Sequence, residues 1–272
     1  MSEKVWFITG TSRGFGNIWA EAALKRGDKV AATARDVESL ANLTRRFGPA
    51  VLPLRLDVND RAATFAAVQQ AHQHFGRLDV VVSNAGYGLL GTVEEITEEQ
   101  ARAQLETNFF GSLWVIQAAL PILRAQKSGH ILPVTSLGGI VSYATGGLYG
   151  ATKWALEGLS ESLSKEIVDF GIKVTIVEPG SYDTEWRTSS AKHSTRMAVY
   201  DGLRAKMAPM LAARVLGNPT TTAAAILAVV DSNTPPLRLL LGATALQAVE
   251  QCYADRLTTW QSWAEVSKGA DG

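Results

Sequence analysis

The chain has a single cysteine, Cys252, among 272 residues. It can build neither an internal disulfide nor a cysteine-rich metal cage, which suits a reducing compartment. Excess charge is missing as well. The 26 basic side chains are matched by 26 acidic ones, with no Lys/Arg block and no basic-aromatic interleaving, so a nucleic-acid or anionic-membrane surface is not indicated. The longest nearly apolar run, "AAAILAVV" from Ala223 to Val230, falls far short of the roughly 20 residues that cross a bilayer. The opening "MSEKVWFITG" has no basic stretch followed by an apolar one and a cleavage site. The histidines His72, His74, His130 and His193 show no metal-ligand spacing beside acidic partners. These absences predict a cytoplasmic, metal-free protein that acts on small molecules.

What is present is a rhythm. Short apolar runs near Val5–Ile8, Val30–Thr33, Val51–Leu56, Asp79–Val82, Ile131–Val134, Val174–Val177 and Leu237–Leu241 alternate with longer amphipathic stretches. Those stretches lie near Gly14–Arg26, Val37–Phe47, Arg61–Phe75, Glu98–Leu123, Leu148–Phe170, Thr221–Val230 and Thr244–Trp263. Strand and helix in strict alternation predict an α/β fold with a doubly wound parallel sheet of about seven strands, helices on both faces, and strand 1 central. No linker interrupts the pattern, so residues 1–272 read as one domain. The long departure from it, residues 181–219, is expected to be a substrate-binding loop or lid.

The first strand runs straight into "TGTSRGFG", Thr9 to Gly16, and then into a helical stretch. Glycines at 10, 14 and 16 permit positive φ and let backbone approach a pyrophosphate, while the helix N-terminus offers N–H donors to phosphate. A plain strand-to-helix turn would look similar, but its place in the first βαβ unit favours a dinucleotide. Charge bears on which one. Arg35 follows Ala34 at the end of strand 2, and Arg13 lies inside the glycine turn. Two guanidiniums converging on the adenosine ribose favour a 2′-phosphate, hence NADP(H). Asp36 is the alternative, since a strand ending one residue later would bring a carboxylate into place.

Farther along, Tyr149 and Lys153 lie four residues apart in a helical stretch and share one face. A phenol titrates near pH 10 and is a poor acid or base at neutral pH, and a neighbouring ammonium favours its charged form. Ser136 follows the fifth strand, where ligands bind in such sheets. A carbonyl that accepts hydride needs its oxygen polarised and then protonated, and Ser136 and Tyr149 suit those tasks. Singly, Ser136 could be a turn hydroxyl and Tyr149 a rim residue of the core.

Taken in order, the Gly-x-x-x-Gly-x-Gly turn, "NAG" at Asn84–Gly86, Asn108, Ser136, the Tyr149/Lys153 pair and "PG" at Pro179–Gly180 resemble the short-chain dehydrogenase/reductase family. The match runs from Lys4 to about Tyr182, roughly two thirds of the chain. The resemblance implies an NADPH-type carbonyl reductase with Asn108, Ser136, Tyr149 and Lys153 as its catalytic group. Lys153 would also bond the nicotinamide ribose, and Asn108 would hold a water at a local irregularity of its helix. It further implies cofactor contacts from Gly10, Ser12, Arg13, Gly14, Phe15, Gly16, Arg35, Asp57, Val58, Asn84, Ala85, Gly86, Tyr149, Lys153, Pro179, Gly180, Tyr182 and Thr184. Relatives are commonly homodimers or homotetramers, with the helix "LEGLSESLSKEI" as a plausible seam. Two departures stand out: Ser83 precedes "NAG" where relatives often have Asn, and Pro133 falls inside what should be a central strand, where proline is normally excluded.

By place in the pattern, Tyr87, Leu89, Leu137, Val141, Tyr143, Tyr182 and Trp186 should surround the reacting carbonyl. Their apolar and aromatic character predicts a bulky, largely apolar ketone, aldehyde or alcohol; Arg187 and Arg196 are the cations the lid could offer an anionic one. The alternatives are a sugar-nucleotide epimerase or dehydratase of the extended branch, and a non-catalytic NADPH-binding sensor.

Overall fold

A computed structural model describes residues 3–186 and 190–271. The first strand, β1 (Val5–Ile8), shows how the sheet is built. Its side chains alternate between two faces. Val5 and Phe7 enter an apolar cluster with Val68, Val115 and Leu163, whereas Trp6 and Ile8 enter a second one with Trp19, Leu40 and Ile226. Both faces of β1 are therefore covered, as a central parallel strand requires.

Around β1 the chain lays down β2 (Lys29–Ala34), β3 (Val51–Arg55), β4 (Val80–Ser83), β5 (Leu89–Leu90), β6 (Gly129–Pro133), β7 (Ile172–Val174), β8 (Ile176–Pro179), β9 (Lys192–His193) and β10 (Arg238–Leu241). The main sheet has the order β3-β2-β1-β4-β6-β7, all parallel. The expected doubly wound topology is thus found. β2 and β3 extend from one side of β1 and β4 from the other, which opens a crevice beyond the C-terminal ends of β1 and β4.

The helices are α1 (Gly14–Lys25), α2 (Ala41–Phe47), α3 (Arg61–Phe75), α4 (Glu98–Leu105), α5 (Gly111–Gln126), α6 (Gly147–Glu166), α7 (Asp201–Ala212), α8 (Thr222–Asp231), α9 (Ala243–Ser262) and α10 (Ala264–Gly269). Residues of α3, α5 and α6 pack in the first cluster, and residues of α1, α2 and α8 in the second. Local chemistry sets several ends. The Asp60 carboxylate accepts from Ala63 N at 2.9 Å to start α3, which stops at Gly76 with φ 78°; Thr97 and Gln100 form a capping box before α4.

Two expectations are corrected. The strand expected at Val174–Val177 is two strands, β7 on β6 and β8 paired with β10, separated at Thr175. Pro133 explains the break. Thr175 N donates to Ile131 O (3.0 Å) and Thr135 N to Val177 O (2.8 Å), so in a parallel ladder the position of Pro133 should donate toward Thr175. Proline cannot, and the strand is interrupted there. The other edge of Pro133 is unaffected, because Val134 N still reaches Ser83 O at 3.0 Å. The helix expected over Glu98–Leu123 is also divided: a π-helical turn, Glu106–Phe110, separates α4 from α5.

Residues 181–219 hold β9 and α7. β9 pairs in parallel with β5, so this segment is stitched to the loop after β4. The Glu95 carboxylate fastens it further, accepting from Thr92 N at 2.9 Å, Met197 N at 2.7 Å and Ser194 Oγ at 3.3 Å, and ion-pairing with Arg204. Among the described residues no helix is long and apolar enough to cross a membrane, and no group of three His, Cys, Asp or Glu side chains could hold a metal ion.

Candidate active site

The loops after β1 and β4 are bonded to each other. Thr9 Oγ1 accepts from Asn84 N (2.9 Å) and Ala85 N (3.0 Å), and Asn84 Nδ2 donates to Thr9 O (2.9 Å) and Gly10 O (3.1 Å). That close approach is why position 16 must be glycine: a Cβ there would lie 2.4 Å from Gly10 O and 2.6 Å from Asn84 Nδ2. Gly10 itself has φ +70°. The α1 N-terminus then faces a cleft lined by Ser12, Arg13, Gly14 and Asn17 on one side and Asp183, Thr184 and Glu185 on the other. Its free N–H groups and the positive end of its dipole suit a pyrophosphate. Phe15 turns its ring inward, stacked on Trp19 at 5.3 Å, which leaves its backbone for a ligand.

β2 ends at Ala34, and Arg35 is exposed immediately beyond it. The competing carboxylate, Asp36, caps the next 3₁₀ turn by accepting from Glu38 N at 3.1 Å. Asp57 is exposed, with its carboxylate accepting from Asn59 N at 3.1 Å, and Val58 is buried against Gly111. Pro179 is buried and Gly180 N bonds Leu241 O at 2.9 Å. Tyr182, expected at both cofactor and substrate, has its ring edge-on to Phe15 at 5.4 Å and over Gly217, so it sits with the glycine turn.

At the end of β6, three consecutive residues meet one face of α6. The Val134 carbonyl accepts from Lys153 Nζ at 2.8 Å, Thr135 Oγ1 donates to Glu157 Oε1 at 2.6 Å, and the Ser136 hydroxyl and the Tyr149 ring stand together at Gly138. Residues 149, 153 and 157 are one turn apart, so the match of strand end to helix face follows from helical spacing. Ser136 Oγ also accepts from Gly138 N at 3.0 Å, which fixes its orientation. A Cβ on Gly138 would lie within 3.5 Å of the Tyr149 ring, the Tyr143 hydroxyl and Ser136 Oγ, so all three converge on one point.

Asn108 is fully buried in the π turn. Its Oδ1 accepts from Tyr87 N (3.0 Å), and its Nδ2 donates to Tyr87 O (3.0 Å) and Thr152 Oγ1 (3.1 Å). The expected helical irregularity is there, and the amide ties the loop after β4 to α6. Thr152, Thr9, Glu157 and Glu178 belong to this neighbourhood and were not singled out from sequence. The signal available for Glu178 was an acid inside the apolar run "VTIVEPG".

Electrostatics depart from the expectation that Lys153 acidifies the phenol. Burial raises Tyr149 above the ordinary phenol range, the nearby Tyr143 raises it further, and the adjacent Ser136 hydroxyl opposes them. Burial pulls Lys153 down to about 8, with Glu157 opposing. Both groups share one dry wall, where loss of hydration penalises each charged form, and Lys153 Nζ lies 5.9 Å from the phenol ring centre.

On the substrate side Trp186 lies over Tyr149, ring centres 5.1 Å apart. A Cβ on Gly88 would fall 2.4 Å from that indole, so Gly88 makes the room for it. Leu137, Val141 and Tyr87 are half-buried, Tyr143 is exposed, and Leu89 is buried within β5. Lys192 Nζ lies 4.8 Å from the Tyr87 ring centre. Arg196 is exposed, and Arg187 lies outside the described residues.

A family model described as short chain dehydrogenase matches residues 4–195. The chain is 42% identical over 268 residues to Oxidoreductase BOA17 of Botryotinia fuckeliana, an alignment covering 97% of this chain and 98% of that one. The crystal structure of a short-chain dehydrogenase from Streptomyces avermitilis superposes with a TM-score of 0.92 at 36% identity, covering 99% of this chain and 98% of the other. An alcohol dehydrogenase from Thermococcus sibiricus, complexed with 5-hydroxy-NADP, gives 0.74 at 27% identity over 88% of this chain and 96% of that one. With a matching family model over most of its length and the parallel sheet this family carries, the chain belongs to the short-chain dehydrogenase family of oxidoreductases.

Proposed function

We propose that the protein is an NADP(H)-dependent carbonyl reductase that interconverts a bulky, largely apolar ketone or aldehyde with its alcohol. The observation that carries this reading is the convergence of the Ser136 and Tyr143 hydroxyls and the Tyr149 ring around Gly138, at the mouth of the crevice. A substrate oxygen placed there can accept a hydrogen bond from Ser136 and a proton from Tyr149. A phenol raised by burial keeps its proton at neutral pH, which suits the acid of the reducing direction.

The glycine turn fits a dinucleotide: Gly10 and Gly16 leave backbone where a side chain would stand, and the α1 N-terminus faces a cleft lined by Ser12, Arg13 and Thr184. Bound there, the nicotinamide supplies or accepts the hydride. Arg35 stands just past the end of β2 while Asp36 is occupied as a cap, an arrangement that favours a 2′-phosphate over a free 2′-hydroxyl. The Thermococcus relative in complex with an NADP derivative supports the same choice. Trp186, Tyr143 and Leu137 offer an apolar, aromatic surface beside Tyr149, which supports an apolar substrate. By the same reading the chain is one domain, cytoplasmic, and assembled as a homodimer or homotetramer.

The test is kcat/KM for NADPH and for NADH across a panel of aryl, alicyclic and anionic carbonyls and alcohols. The reading expects NADPH to be preferred and apolar bulky carbonyls to turn over fastest. Fast turnover confined to an anionic carbonyl would reject the substrate class.

A further inference from the structure

One turn beyond Lys153 on α6, Glu157 is only 6% exposed, yet hydride transfer gives it no task. Its Oε1 accepts from Thr135 Oγ1 at 2.6 Å and its Oε2 lies 3.2 Å from Arg238 Nε on β10. Glu178 on β8 is fully buried, with Oε1 3.5 Å from the same Nε and neither oxygen meeting a donor of ordinary geometry. The two carboxyls thus flank one guanidinium nitrogen, near enough to feel each other's charge. Arg238 is also held by Glu161, Nη2 to Oε2 at 2.8 Å, at the protein surface.

Charge decides how the pair is protonated. Burial raises both carboxyls, Glu178 the more, because Glu157 also repels it. With Glu178 neutral the cluster balances: Arg238 against Glu161, and Lys153 against Glu157. A charged Glu178 would leave a buried carboxylate uncompensated, which is strongly unfavourable.

We propose that Glu157 is a positioning residue for Lys153: it supplies the buried negative charge against which Lys153 stays an ammonium, with the neutral Glu178 carboxyl donating to it and Arg238 orienting it. The proposal rests on the reductase reading above, in which Lys153 stands with Tyr149 in the catalytic group. Val134 and Thr135 make it specific, since adjacent residues at the end of β6 hold the lysine and the glutamate. The ionisable groups around Lys153 are Tyr149 and Glu157 on its own helix, with Tyr143 from the preceding loop beside Tyr149; around Glu157 they are Lys153 and Glu161 on α6, Glu178 on β8 and Arg238 on β10.

The experiment is a pH titration of ε-¹³C-labelled lysine by NMR, with the Lys153 signal assigned by Lys153→Met, alongside the pH profile of kcat/KM. In Glu157→Gln the Lys153 midpoint should fall by about one pH unit, the scale of losing one nearby opposite charge. The high-pH limb of kcat/KM should fall with it, and Glu157→Asp should restore most of both shifts. An unmoved Lys153 midpoint in folded Glu157→Gln overturns the proposal. Should that variant fail to fold, Glu178→Gln carries the test: with Glu178 already neutral the Lys153 midpoint should stay where it is, and a fall of about one pH unit would put the buried charge on Glu178 and overturn the proposal. The NMR readout needs no turnover, so a wild-type protein inactive on every carbonyl would sink the functional reading while leaving this assignment standing.

Discussion

Tyr149 is buried to 5% exposure beside Ser136, so removing its one oxygen removes the proton donor while leaving the ring against Trp186. Tyr149→Phe should lower kcat by roughly a hundredfold to ten-thousandfold, the range of general acid catalysis, and leave the NADPH dissociation constant, measured by fluorescence quenching, unchanged. A variant that keeps its kcat would mean another group protonates the product. Arg35 makes a second prediction. A charge-assisted bond to phosphate is worth about 1.5–3 kcal/mol, so Arg35→Asp should weaken kcat/KM for NADPH at least tenfold and improve it for NADH; equal losses with both cofactors would place Arg35 away from the ribose. Both residues were readable from sequence because their signals are local: a fixed spacing on one helix, and a charge at a strand end. Asn108 was readable only through resemblance. Its partners, the Tyr87 backbone and Thr152, lie 21 and 44 residues away, and no local pattern joins them.

At the level of elements, residues 181–219 are fastened beside the β5–β9 pairing by one carboxylate. Glu95 collects two backbone amides, the Ser194 hydroxyl and the Arg204 guanidinium, and is held down to about 2 by these bonds, the Met197 amide first. Glu95→Gln keeps the size but loses the charge. It should speed tryptic cleavage after Lys192 and Arg196 and raise KM more than it lowers kcat; cleavage at the wild-type rate would show that β5–β9 pairing alone holds the segment. The sequence marked residues 181–219 as the likeliest break in the rhythm, yet gave no sign of this anchorage, because Glu95 and Met197 meet only through tertiary structure. β7 and β8 make the same point. Pro133 was visible as an anomaly, but its outcome, one strand split at Thr175, depended on which neighbour its missing N–H faced.

For the molecule as a whole, the short apolar runs and their regular alternation with helical stretches made the doubly wound sheet legible, whereas long-range stitches such as β5 with β9 were not. One such stitch bears on global stability. His130 is buried at the start of β6, with Nε2 2.9 Å from Thr175 Oγ1. That hydroxyl donates to Pro236 O at 2.7 Å, so the ring must donate through Nε2, which leaves Nδ1 a buried acceptor with no partner. Burial, with Lys173 and Lys4 nearby, pulls the imidazole from 6.5 to about 4. Between those values the unfolded chain binds a proton that the native protein refuses, so stability must fall as pH drops from 6.5 toward 4, by up to about 3 kcal/mol. Denaturant midpoints measured across that window should show the decline, and His130→Gln should flatten it; an unchanged slope would assign the acid sensitivity elsewhere.

The central claim, that Tyr149 protonates a carbonyl as NADPH reduces it, is tested most directly with NADPH carrying deuterium at both C4 positions of its nicotinamide and a bulky apolar ketone, followed by mass spectrometry of the alcohol. The account predicts deuterium on the carbinol carbon with wild-type protein and almost none with Tyr149→Phe at equal cofactor occupancy. Equal label from both proteins, or alcohol formed without label, would contradict it.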